Sequence, residues 1–321
     1  MSALTPGLKE NELPTLDPEQ LLQQPTSLWG NTFRRLRKRT SALVGFGILG
    51  TLVFIAIFAP VLAPYDPLEV LIGKEPVTKR QAPCIHLLGC PTDQPQHLMG
   101  IDGNVRDQFS RVIYGARLSL MIGISTVSIA IVAGTLIGTM AGYLGGWVDD
   151  VLMRLMDVLL AFPSLLLAIA VVTVLGPGLT NALIAVAIVS TPSYARVVRA
   201  SVLQVKETDY VSASRALGAS PLRLVFTRVL PNSLTPLIVL GTLGIASAIL
   251  DAAALSFLGL GAQPPTPEWG SMVGAELNQV FTAPHLVFFP GAAITLTVLA
   301  FNLIGDGLRD ALDPRLAHKA K

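Results

Sequence analysis

Two cysteines, four histidines and a pair of carboxylates set in apolar surroundings are the residues of this chain whose types could do chemistry. Cys84 and Cys90 flank His86, and His97 follows closely. In an oxidising compartment a disulfide is the natural reading of the two cysteines; in the cytoplasm two free thiols would be the default. A metal site is the other possibility, but a Cys-x-His-x₃-Cys-x₆-His spacing matches no usual zinc pattern, and no metal is expected. Asp157 lies at the edge of one apolar run and Asp251 inside another. A carboxylate at membrane depth is costly unless it snorkels, pairs or lines a polar path, so both are candidates for an intramembrane or pathway role. Enzyme signatures are missing: there is no HExxH, no Ser/His/Asp grouping, no redox CxxC and no GxxxxGK[ST] phosphate loop. No catalytic residue is assigned, and the chain has no P-loop nucleotide site of its own.

The elements that must position these residues are membrane helices. Of 321 residues, 51% are hydrophobic and only 14% charged, too apolar for an ordinary soluble domain. A net charge of +2 gives no reason to expect nucleic acid as a partner. Apolar runs over residues 42–62, 118–141, 156–175, 179–194, 234–260 and 286–304 approach the roughly 20 residues a bilayer core requires. The expected fold is an all-α, polytopic bundle of six transmembrane helices in contact with membrane lipid.

Orientation follows from charge. Residues 1–26 are polar, with Pro6, Pro14, Pro18 and Pro25, and read as a disordered tail with no cleaved signal peptide. Trp29, Phe33 and Leu36 share a helical face amid Arg34, Arg35, Arg37, Lys38 and Arg39, the pattern of an interfacial helix. These basic residues place the N-terminus in the cytoplasm. The organisation expected is a tail and interfacial helix over 1–40, a first span over 41–63, an outer loop over 64–111, a five-helix core over 112–310 with an inner loop at 201–232, and a cytoplasmic tail over 311–321. Arg106, Arg111 and Arg117 strain this orientation unless neighbouring aspartates pair with them. In the second span Ala130, Gly134, Gly138 and Gly142 recur every four residues, a stripe that admits a close helix neighbour, in this chain or in a second subunit.

The inner loop contains a compact stretch, KETDYVSASRALGASPLRLVFTRVLP, from Lys206 to Pro231. Tyr210, Ala213 and Leu217 recur at helical spacing; Gly218 can take the left-handed conformation that ends a helix. Ser220 can cap the next helix with Pro221 in its first turn, Leu222, Val225 and Val229 form an apolar face, and Pro231 marks its end. A capped helix pair between two spans suits gripping a partner; an amphipathic hairpin lying on the lipid surface fits the spacing equally well.

This stretch resembles the EAA loop of ABC-importer permeases, in the branch that carries dipeptides, oligopeptides and nickel. The resemblance rests on Ala213, Ala216, Gly218, Leu230 and Pro231. The loop's name-giving Glu-Ala-Ala reads Ser212-Ala213-Ser214 here, so a Ser212 hydrogen bond would have to replace the carboxylate's ion pair. Two further runs are similar to the same branch: Asp102, Arg106, Asp107, Ser110, Arg111, Tyr114, Gly115 and Arg117 before the second span, and LSFLGLGAQPPTPEWG over 255–270. Where that family usually has an acid this chain has Ala252, with Asp251 beside it.

The resemblance implies a type I ABC importer permease fold and a peptide-translocating subunit in a bacterial cytoplasmic (inner) membrane. It implies a second permease as heterodimer partner, two ATPase subunits that carry ATP and magnesium, and a substrate-binding protein outside. The coupling contact would be made by Tyr210, Ser212, Ala213, Ala216, Gly218, Ala219, Pro221, Leu230 and Pro231. Nickel or another small solute is the other cargo in this branch. A secondary transporter or channel using Asp157 and Asp251 is the reading from another class; ATP dependence separates the two.

Overall fold

The structure is a computed structural model, and it describes residues 34, 36, 37 and 39–312. The N-terminal tail, Trp29 and Phe33, and the basic residues Arg315 and Lys319 lie outside the described residues. The helices, in chain order, are α1 (Thr40–Leu62), α2 (Gln108–Leu144), α3 (Gly146–Leu160), α4 (Ser164–Leu175), α5 (Leu179–Lys206), α6 (Asp209–Ala216), α7 (Pro221–Leu224), α8 (Leu230–Ser233), α9 (Thr235–Phe257), α10 (Trp269–Glu276) and α11 (His285–Leu312). A π-helical turn, Val225–Val229, joins α7 to α8.

Among the described residues, five helices, α1, α2, α5, α9 and α11, are long and apolar enough to cross a membrane. The expected third span is broken: α3 and α4 meet at 95° across residues 161–163. Pro163 is the cause, since it takes an extended conformation just before α4 and cannot continue α3's hydrogen-bond ladder. Helix α3 carries Trp147, Val151, Leu155 and Val158 exposed along one stripe and Asp149, Asp150, Arg154 and Asp157 elsewhere. That is an amphipathic pattern, of the kind that suits a membrane interface.

Two other boundaries differ from the periodicity. Helix α5 does not end near Tyr194; it continues through Pro192 to Lys206, so Arg196 and Arg199 sit on a helix and not in the inner loop. Helix α2 starts at Gln108, inside the expected outer loop, because Asp107 caps it by accepting from the Ser110 backbone N–H at 2.7 Å. Its 37 residues make it roughly 55 Å long, longer than the ~30 Å hydrocarbon layer, so it projects beyond the bilayer.

The core forms where the small stripe predicts. Gly134 lies against Tyr194, Ala195 and Thr191; Gly138 against Ala195, Val198 and Arg199; Gly142 against Val202 and Arg199. The stripe is therefore filled by α5 of the same chain. Around this seam Val127, Ala130, Val172, Val186, Val198 and Val202 form one apolar cluster, which Ala248 and Leu255 of α9 join. A second cluster brings α1, α2, α9, α10 and α11 together around Trp269, whose indole N–H donates to the Val112 carbonyl at 2.9 Å. Gly115 makes room for that ring.

Candidate functional site

One end of the bundle, the end expected to face inward, carries the helix pair. Helix α6 ends as the glycine requires: Gly218 has φ +86°, its N–H donates to Arg215 O at 3.0 Å, and Ala219 N–H donates to Ser214 O at 3.2 Å. These two bonds are the Schellman arrangement, which satisfies carbonyls that a helix end leaves bare. Ser220 then stands at the N-cap of α7 with Pro221 behind it, although the serine side chain makes no capping bond. After α7 the ladder widens into the π turn, and Pro231 does not end the helix; α8 runs on to Ser233. Proline has no N–H to give; around it the side chains of Thr227, Asn232 and Ser233 donate to the carbonyls of Arg223, Arg228 and Val229 at 2.6, 2.6 and 2.9 Å.

The faces of this pair differ from the spacing argument. In α6 the buried residue is Val211; Tyr210, Ala213 and Leu217, which share the apolar face read from spacing, all point outward, Leu217 being 89% exposed. In the second helix Leu224, Val225 and Val229 are buried while Leu222 and Phe226 are exposed. Ser212, Ala216, Gly218, Pro221 and Pro231 are exposed too, Ala219 and Leu230 partly so, with Arg215, Arg223 and Arg228 around them. Ser212 forms no side-chain hydrogen bond among the described residues. The pair is thus a stiff projection with an open apolar and basic surface.

Polar contacts that sequence reasoning did not find tie the C-terminal half of α5, which leads into this projection, to α3 and α2. Arg199 grips Asp149 with two bonds of 2.5 Å, and Lys206 donates to the Gly142 carbonyl at 2.9 Å. Asp157 pairs with Arg196 at 2.5 Å, and both are exposed. That places Asp157 at the surface, as a paired group of the amphipathic helix α3, and not inside the bundle. The pairings join residues far apart in sequence, and nothing in local spacing signals them.

The opposite end, expected to face outward, is a cap built from the loop before α2. Cys84 and Cys90 form a disulfide with Cα atoms 5.4 Å apart. His97 does not face them as a metal ligand: its Nδ1 lies 2.8 Å from Asp107 and its Nε2 3.1 Å from Glu75, with Tyr65 stacked alongside at 5.2 Å. Arg106 and Arg111 pair with Asp102 at 2.8 and 3.4 Å, which accounts for two of the three outer arginines; Arg117 is exposed. Arg80 bridges to Glu276 at 2.8 Å, and Glu268 caps α10 by accepting from Gly270 and Ser271 N–H. The run from Asp102 to Arg111 is thus the masonry of the cap.

Burial pulls His97 down, but the hydrogen bond and charge of Asp107, then those of Glu75, outweigh it, and the net shift is above the ordinary 6.5. A raised folded value means the protonated ring's contribution is complete below about 6.5 and fades as pH climbs through the folded value. Protection of loop amides against hydrogen exchange should therefore decline on that alkaline side. A His97→Gln chain should show no such pH step; an unchanged step would remove His97 as its source.

Asp251 is half-buried in α9, and among the described residues it has no ion pair or hydrogen bond. Its helix is open on one side. Pro236, Val239, Leu240 and Leu243 of α9 floor a groove of about 470 Å³, walled by Val197 of α5 and Arg309 of α11.

Comparison with known proteins bears on the whole chain. Residues 134–318 match the family described as "binding-protein-dependent transport system inner membrane component", and residues 27–83 match the "N-terminal TM domain of oligopeptide transport permease C". A dipeptide transport system permease protein of Alkalihalophilus pseudofirmus is 45% identical, covering 96% of this chain and 98% of the relative. A di/tripeptide transport system permease protein of Pseudomonas aeruginosa is 48% identical over 96% and 98%. A glutathione transport system permease protein of Escherichia coli is 44% identical over 95% of each chain. Among solved structures, the inward-facing MetNI methionine ABC transporter aligns with a TM-score of 0.53 at 18% identity, covering 63% of this chain and 96% of the matched one. That likeness bears on fold, which is the type I ABC importer permease arrangement.

Proposed function

The chain belongs to the family of binding-protein-dependent transport system inner membrane components, and from that premise we propose that it is one permease half of an ATP-driven importer of short peptides. Cargo is inferred from the dipeptide, di/tripeptide and glutathione systems in which its relatives are named. A second, different permease completes the pathway. Two ATPase subunits lie on the inner face, and a binding protein delivers from outside. ATP and magnesium act on the ATPase subunits. Both termini of this chain lie in the cytoplasm.

The observation that carries the reading is the glycine-hinged projection on the inner face. Its exposed residues Tyr210, Ser212, Ala213, Ala216, Gly218, Pro221 and Pro231, with the partly exposed Ala219 and Leu230, form the surface that an ATPase cleft receives. Closure of the ATPase dimer moves the projection, and two rigid links pass the motion on. One is α6 to α5, held by the buried Val211, with α5 itself tied to α2 by the Lys206 bond to Gly142. The other is α8 to α9, which follow each other across Leu234. The two permease halves rock, and a peptide released outside enters the path between them.

The test is purification of tagged chain in gentle detergent, followed by reconstitution with whatever subunits accompany it. An ATPase and a second permease should co-purify, and vesicles should accumulate dipeptide only with ATP and binding protein. Recovery of the chain alone, with uptake driven by an ion gradient, would replace this reading with a secondary transporter. Uptake of nickel but not peptide would keep the importer and change its cargo.

A further inference from the structure

Helix α9 buries one half of its circumference and leaves the other half open. Ala246, Ala248, Ile249, Ala252, Ala253, Leu255 and Ser256 are buried against the rest of the bundle. Ser247, Leu250, Phe257 and Leu258 are exposed, and Asp251 and Ala254 are partly so. On a helical wheel of 100° per residue, these last six fall within one arc, and Pro236, Val239 and Leu243 continue it toward the inner end. The open arc is therefore one strip running from the inner groove to the outer end of the helix.

Two polar side chains interrupt that strip, Ser247 and, four residues on, Asp251; the other residues named on it are apolar, and of all of them only Asp251 is charged. The serine and the aspartate stand one helical turn apart on the same face. Asp251 lies six residues before the end of α9 at Phe257, roughly 9 Å below that end. A carboxylate turned to lipid within a span is costly unless it snorkels or pairs, and among the described residues no cation of this chain pairs with it. That cost argues against lipid as what the strip faces.

We propose that the open strip of α9 walls the aqueous path and that Asp251 is its recognition point for the ammonium group of the passing substrate. This rests on the peptide-importer reading, since a peptide with a free N-terminus supplies that cation. The carboxylate is matched in charge and is the charged feature of an otherwise apolar wall, with the Ser247 hydroxyl one turn away as a second acceptor. The ammonium end is held there while the remaining peptide slides. Substrates whose amino end is blocked would lack this contact.

The test uses the complete complex in vesicles. Cysteines are placed singly at Asp251, Ala254 and Ala248 and treated with a membrane-impermeant thiol reagent; the cysteines already in this chain are disulfide-bonded. Asp251→Cys and Ala254→Cys should react, and Ala248→Cys, on the buried arc, should react at least tenfold more slowly. In parallel, Asp251→Asn should lower peptide uptake tenfold while binding-protein-stimulated ATP hydrolysis holds within twofold, and Asp251→Glu should recover part of the uptake. An unreactive cysteine at 254, in a complex that still imports peptide, would show the strip sealed against a partner and overturn the proposal. So would normal uptake by Asp251→Asn. A wild-type complex that imports no peptide would instead defeat the functional reading, and with it the ammonium assignment, whatever the labelling shows.

Discussion

A Gly218→Val chain is expected to insert, fold and assemble normally and to lose about tenfold or more of its uptake. The residue has φ +86° and no atom within 4 Å of where a Cβ would stand. Space is not the obstacle; conformation is. Left-handed backbone costs an ordinary L-residue roughly 1–2 kcal/mol, and about 1.4 kcal/mol shifts a two-state balance tenfold. Relief of that strain unwinds the Schellman bonds from Gly218 and Ala219 and swings α7 away from α6. The bundle is untouched because Gly218 packs against nothing. Asn tolerates the left-handed region far better than a β-branched residue, so Gly218→Asn should retain most uptake. Membrane content of the chain, co-purification of the ATPase and ATP-dependent uptake separate the outcomes. Equal uptake by the Val and Asn chains would mean that the turn's geometry does not transmit the stroke.

That hinge was legible in the sequence because a helix end has local rules: a glycine where the turn reverses, a proline one residue into the next helix. The spans were legible for a similar reason, since an uncharged apolar run of bilayer length has little place in a water-exposed fold. What periodicity missed depends on distant residues. Tyr210, Ala213 and Leu217 do share a face, but spacing cannot say whether a face turns inward, and Val211 occupies the inward position. Continuation of α5 past Pro192 follows from the support of α2 and α3, through the Arg199 grip on Asp149 and the small residues of α2. The break at Pro163 and the continuity at Pro192 look alike in sequence; tertiary packing decides between them. His97 was visible as a residue near two cysteines, yet its partners Glu75 and Asp107 are brought to it by the loop's path.

The stripe on α2 supports the second large effect, because there every contact is already used. A Cβ built on Gly138 would collide with the Ala195 carbonyl and stand 2.8 Å from the Val198 Cβ; one on Gly134 would be 2.6 Å from the Tyr194 Cβ and 2.9 Å from the Ala195 nitrogen. Both opposing groups include backbone of α5, which cannot rotate away as a flexible side chain would. Gly138→Val must therefore push α5 off α2. Overpacking of this kind typically costs about 1–3 kcal/mol, occasionally more, and here it also pulls on the Arg199 grip and the Lys206 bond one and two turns further along. The expected result is a chain depleted from the membrane several-fold, with the residual population melting at lower temperature in detergent. Even Gly138→Ala should show part of the loss. Gly47 and Gly50 of α1 provide the contrast, since a Cβ at either meets nothing within 4 Å; Gly47→Ala and Gly50→Ala should leave membrane content unchanged. The two large effects then differ in kind. Gly218→Val spares abundance and removes transport, whereas Gly138→Val removes the chain itself, and uptake per remaining complex distinguishes them. If Gly138→Val accumulated normally while Gly47→Ala did not, the tight α2–α5 seam could not be the contact that holds this bundle together.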